Sequence, residues 1–150
     1  MFYIAWFAAA WAAWLAFADR QRWREILPVC IFAKTLALAT DVMVFYYPLW
    51  EYIGPPALIH LADDLAIYPV VTYLFIQRIP KSQVFKAMLA YWLFWTTLAA
   101  VIELIFVHSG HMTYRLWWNT WHSYAADWFL YWVFYKFHRL LRLSRLSAPD

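Results

Sequence analysis

VFKAMLAYWLFWTTLAAVIELIFV, residues 84–107, decides the fold. It is apolar almost throughout, and its one acid, Glu103, lies inside the run near its outer end. About 20 apolar residues are what a helix needs to cross a bilayer core. Four further stretches have this character, giving expected spans at about 2–18, 26–47, 56–76, 84–107 and 117–137. Prolines and glycines fall between the runs, at Pro48, Gly54, Pro55, Pro80 and Gly110, where turns are required. The expected fold is therefore all-α: a single polytopic domain over 1–150, a bundle of five transmembrane helices.

Composition agrees. The chain is 66% hydrophobic, 23% aromatic and 14% charged, against about 45–50% apolar and about 25% charged in soluble domains. The net charge of +3 is explained by position. Ten of the twelve basic residues fall in three clusters on one expected side: Arg20, Arg22 and Arg24; Arg78, Lys81 and Lys86; and Lys136, Arg139, Arg142 and Arg145. Basic residues mark the cytoplasmic side, so the N-terminus is expected outside and the C-terminus in the cytoplasm. No soluble basic face with stacking aromatics is present, which excludes nucleic acid as a partner. The lone Cys30 allows no disulfide within the chain. Trp23, Trp50, Trp117, Trp118 and Trp121 fall at span ends, where amphipathic rings favour the interface. In the first span Ala8, Ala12 and Ala16 recur at four-residue spacing, as do Ala9 and Ala13, a pattern suited to close helix packing in lipid.

Five of the nine acids lie inside these spans: Asp41, Asp63, Asp64, Glu103 and Asp127. Each costs roughly 2.5–3.5 kcal/mol on insertion scales, so a cause is required. His60 and His122 lie at similar depth, while Lys34 is placed deeper toward the cytoplasm. His60 and Asp64 are four residues apart and can touch on one helix. Asn119, Ser123 and Asp127 recur at four-residue spacing on the last span, with His122 beside them. Pro69 frees the carbonyl of Leu65 just below the paired acids. A net negative cluster in low dielectric requires raised carboxyl pKa values, a bound cation, or water.

The expected site is an acidic pocket near the outer leaflet. Its ligand-binding set is Asp41, His60, Asp64, Glu103, Asn119, His122, Ser123 and Asp127. His60, Asp64, Glu103, His122 and Asp127 are also the residues of the right type to hold a divalent metal ion, although no H-E-x-x-H spacing is present. Three functions follow as expectations: a protein that binds a cation or small polar ligand for transport or sensing; a metal-dependent hydrolase acting on a lipid-type substrate; or a structural or assembly subunit. A homodimer or a larger membrane complex is expected. No nucleophile elbow, phosphate loop, redox thiol pair or dinucleotide fingerprint occurs.

The segments Asp64–Pro69 through Pro80-Lys81, and Glu103 through Gly110, Tyr114, Trp118-Asn119 and Ser123, resemble a family of small multi-pass proteins found in spore-forming Firmicutes. The likeness covers roughly the last three spans. It implies a helical protein of the bacterial plasma membrane, without an assigned activity, in which Asp64, Glu103, Asn119 and Ser123 are the recurring polar positions.

Overall fold

The computed structural model describes residues 1–82 and 84–147. Gln83, the expected end of the third linker, and residues 148–150 of the expected single domain lie outside the described residues. The chain is mostly helical. In order it forms α1 (Phe2–Phe17), a 3-10 turn (Arg20–Arg22), α2 (Trp23–Tyr46), β1 (Trp50–Tyr52), α3 (Pro56–Ala62), a π-helical turn (Asp63–Ile67), α4 (Tyr68–Gln77), α5 (Phe85–His108), β2 (Met112–Tyr114), α6 (Thr120–Leu140) and a 3-10 turn (Leu143–Ser147).

Among the described residues three helical segments are long and apolar enough to cross a membrane: Arg20–Tyr46, Pro56–Gln77 and Phe85–His108. At 16 residues α1 spans about 24 Å, short of a hydrocarbon core of about 30 Å. With 21 residues α6 has the length, but His122, Asp127, Lys136, His138 and Arg139 dilute its apolar character. The helix is also displaced from the expected span at 117–137. Trp117 and Trp118 precede it, and Asn119 Oδ1 accepts from the amides of Trp121 and His122. That is the geometry of a helix cap.

Two linkers are more ordered than turns. β1 and β2 pair antiparallel, with Trp50 opposite Tyr114, Glu51 opposite Thr113 and Tyr52 opposite Met112. The short ribbon departs from an all-α reading because its strands are three residues each, too short to leave a period-2 signal. Gly110, at φ +75°, turns the chain out of α5. The amide of His111 then closes on the carbonyl of Phe106, a helix ending that glycine permits.

The described residues form two compact units. The first comprises Met1–Leu38, Pro55–Arg78 and the chain from Phe134 on; the second comprises Ala39–Gly54 and Ile79–Val133. In the first unit α1 packs along α3, the π-turn and α4. The buried stripe of α2 is Ile26, Val29, Cys30, Ala33 and Ala37, a helical period with one apolar face. Across α3, the π-turn and α4 the stripe is Ile59, Ala62, Ala66, Val70 and Tyr73. Small residues at four-residue spacing are thus buried at Ala33/Ala37 and Ala62/Ala66. The alanines singled out in α1 are not: Ala8, Ala9, Ala12 and Ala16 are exposed, and Ala13 is half-buried. Bulkier Tyr3 and Trp14 take the inner face of α1 instead, and Trp14 meets Tyr73 edge-on at 5.7 Å.

In the second unit Met88, Trp95, Ala100 and Phe106 of α5 are buried, as are Met112 and Tyr131. Ring pairs Trp92–Trp128 and Trp95–Tyr131 join α5 to α6.

Candidate functional site

Asp64 sits in the π-turn. Ahead of it Pro56 starts α3, and behind it Pro69 lies in the first turn of α4. Pro69 has no N–H to give the carbonyl of Leu65. The chain widens by one residue instead, and the amide of Tyr68 bonds the carbonyl of Asp63. Such one-turn widenings recur at functional sites. Here it turns the Asp64 side chain inward, to 11% exposure.

Two nitrogens converge on one Asp64 oxygen. Lys34 Nζ donates to Oδ2 at 2.6 Å, and His60 Nδ1 lies 2.9 Å from the same atom. The lysine is 34% and the histidine 61% exposed. The expected His60–Asp64 contact is present. The separation of Lys34 from the acids by depth is corrected: the lysine's four-carbon stem reaches the carboxylate of the neighbouring helix. Part of the charge problem posed by the sequence is therefore answered internally at Asp64. His60 and Asp64 have the donor types of a metal site, and a cation that takes Oδ2 would do so in place of the Lys34 ammonium. Asp41 follows Lys34 by two turns of α2; it belongs to the second unit and is half-buried. Asp63 is half-buried as well.

A second ionic cluster of the first unit is absent from the sequence-based set. Arg22 donates from Nε and Nη2 to the two oxygens of Glu25, at 2.9 and 2.6 Å. Its Nη1 donates to the carbonyl of Gln77 at 2.6 Å. Glu25 Oε1 also meets His138 Nε2 at 2.7 Å. Glu25 is 2% and His138 7% exposed. The Gln77 side chain completes the joint: Oε1 accepts from the amide of Asp19 and Nε2 donates to the carbonyl of Phe17. The Arg22–Glu25 spacing of three residues could have signalled the first pair. Nothing local signals His138, because its partner is remote in sequence.

In the second unit the expected residues are taken up by near neighbours. Tyr114 donates to Glu103 Oε1. Trp118 Nε1 donates to Ser123 Oγ at 2.8 Å. Burial, reinforced by the carboxylate of Glu103, pushes the Tyr114 phenol up to about 12, while the hydroxyls of Thr120 and Ser123 act the other way. His122 is exposed, its ring 5.0 Å from Trp117 and 5.6 Å from Trp118. Asp127 is half-buried one turn before the buried Tyr131. Thr96 Oγ1 is buried with no hydrogen-bond partner among the described residues.

Chemically, a carboxylate oxygen shared by an ammonium and an imidazole is a place where one positive charge can replace another. The Glu103–Tyr114 pair holds a carboxylate in a donor's company. Comparison with known proteins gives no lead: no family model, curated protein or solved structure matches the chain.

Proposed function

We propose that the chain is a multi-pass protein of a bacterial plasma membrane that binds a proton or small cation by exchange against Lys34 at Asp64, in the service of transport or sensing. One observation carries this reading: a lysine ammonium and a histidine imidazole share one oxygen of a mostly buried carboxylate at a widened turn of a membrane-length helix. An ionisable group at such depth is expensive and is by default functional.

The membrane setting is supported by large apolar side chains that face outward, among them Ile31, Leu38, Phe94, Val101 and Ile105. Such faces are a liability in water and ordinary against lipid. The start of α2 and the ends of α1 and α4 are tied together through Arg22 and Gln77, and the end of α6 joins them through His138. That arrangement supports alternating spans with the basic clusters in the cytoplasm and the N-terminus outside. The bacterial assignment rests on the Firmicutes resemblance.

Reconstitution tests the reading. Purified protein in proteoliposomes, challenged with gradients of protons, alkali cations and divalent cations, should respond to at least one. Asp64→Asn should abolish that response while helicity persists. A response unchanged in Asp64→Asn removes this site.

A structural role is favoured for the second unit by one observation: Asn119, Ser123 and Glu103 each hydrogen-bond within their own unit. Glu103→Gln would then alter stability and leave the cation response intact.

A further inference from the structure

Resting on the membrane-spanning reading but independent of the Asp64 site, we propose that one end of the first unit is a docking surface for anionic phospholipid headgroups. Its basic residues come from three separate parts of the chain. The 3-10 turn and the start of α2 supply Arg20 and Arg24, the end of α4 supplies Arg78, and the chain after α6 supplies Arg142 and Arg145. All five are exposed. None has a carboxylate within ion-pair distance among the described residues: Glu25 is committed to Arg22 and His138, and Asp19 accepts from the Gln21 amide at the start of the 3-10 turn.

The fold gathers them actively. Gln77 and Arg22 tie the α1–α2 linker to the end of α4. The chain after α6 doubles back at Arg142, which adopts φ 52°, a conformation that non-glycine residues rarely accept. That turn buries Leu143 and brings the Leu143–Ser147 turn against Arg20–Arg22.

Three of the guanidinium groups lie over rings: Arg20 over Trp14 at 5.4 Å, Arg24 over Trp23 at 5.6 Å and Arg78 over Phe17 at 5.7 Å. Arg20 Nη2 also donates to the carbonyl of Leu15 at 3.4 Å; the N–H groups of an exposed guanidinium that remain uncommitted suit phosphate oxygens. Amphipathic rings beneath cations are also what the headgroup layer favours. Charge complementarity therefore selects a phospholipid of net negative charge over a zwitterionic one.

The test uses the full chain purified in a neutral detergent. It is titrated with mixed micelles of phosphatidylglycerol or of phosphatidylcholine, and retained lipid is read by native mass spectrometry. Each arginine near an anionic surface is worth about a fivefold gain in affinity, so Arg20→Gln/Arg78→Gln/Arg142→Gln should weaken phosphatidylglycerol binding about a hundredfold. Phosphatidylcholine should be held weakly by both proteins. Equal retention of the two lipids by the wild type overturns the proposal, as does undiminished binding by the variant or full competition by inorganic phosphate. If the triple variant loses its helical circular dichroism, the wild type decides alone: added salt should release phosphatidylglycerol, and retention at high salt overturns the inference. Resistance of the wild type to alkaline extraction from membranes separately tests the spanning reading.

Discussion

His138 and Glu25 are 113 residues apart in sequence, yet His138 Nε2 lies 2.7 Å from Glu25 Oε1 in a nearly dry setting. The pair binds the end of α6 to the start of α2, and Arg22 carries the link on to α4. Removing one partner of a buried ionic group leaves the other uncompensated, at about 3–5 kcal/mol. Glu25→Ala strands both Arg22 and His138 and should fall in that range. His138→Ala leaves Glu25 paired with Arg22 and should cost about 1–3 kcal/mol. Unfolding in mixed micelles, followed by circular dichroism, measures both; equal losses would mean that Arg22 contributes nothing to the joint.

Lys34 and Asp64 should be energetically coupled. Lys34→Met leaves the carboxylate with His60 alone and Asp64→Leu strands the ammonium, whereas the double variant removes both charges. The double variant should be more stable than the sum of the single losses predicts, by about 1–3 kcal/mol. Additive losses would show that the 2.6 Å contact carries no energy.

Tyr114 should make stability sensitive to alkali. Its phenol titrates at about 12 when folded and at about 10 when unfolded. A folded pKa above the unfolded one contributes stability that is complete below about pH 10 and is lost as pH rises through about 12. Tyr114→Phe should therefore lie below wild type at neutral pH and flatten the decline between these limits. Unfolding midpoints measured across that window give the comparison.

Asn119 should behave as a cap. Asn119→Ala should cost about 1 kcal/mol, and Asn119→Ser or Asn119→Asp should restore most of it. If neither restores stability, the side chain has a role other than holding the amides of Trp121 and His122.

The helices were legible because their apolar runs are long, and runs that long rarely mean anything else. Pro69 likewise announced a disturbance beside Asp64, and the spacing of His60 and Asp64 announced their contact. The limits were those of local information. Depth counted along a helix axis misplaced Lys34, because a lysine head sits several bonds from its backbone. The alanines of α1 drew attention through their number, but periodicity cannot say which face turns inward. Glu25 and His138 were invisible as a pair, since only the fold of the whole unit gathers residues so remote. Asn119 shared the spacing of a polar stripe but serves a helix start, a distinction that depends on where the helix begins.

The widened turn at Asp63–Ile67 has a mechanical corollary. One surplus residue in a rod shifts the angular phase of everything beyond it by about 100°. The face that Tyr73 and Gln77 present to α1 and its linker is thus keyed to the same backbone defect that turns Asp64 inward. Excising the exposed Leu65 would remove the surplus residue and swing the far end of the rod out of phase with the near end. The Lys34–Asp64 contact and the distant joint are set by the same turn, and a change in its winding acts as a crankshaft between them.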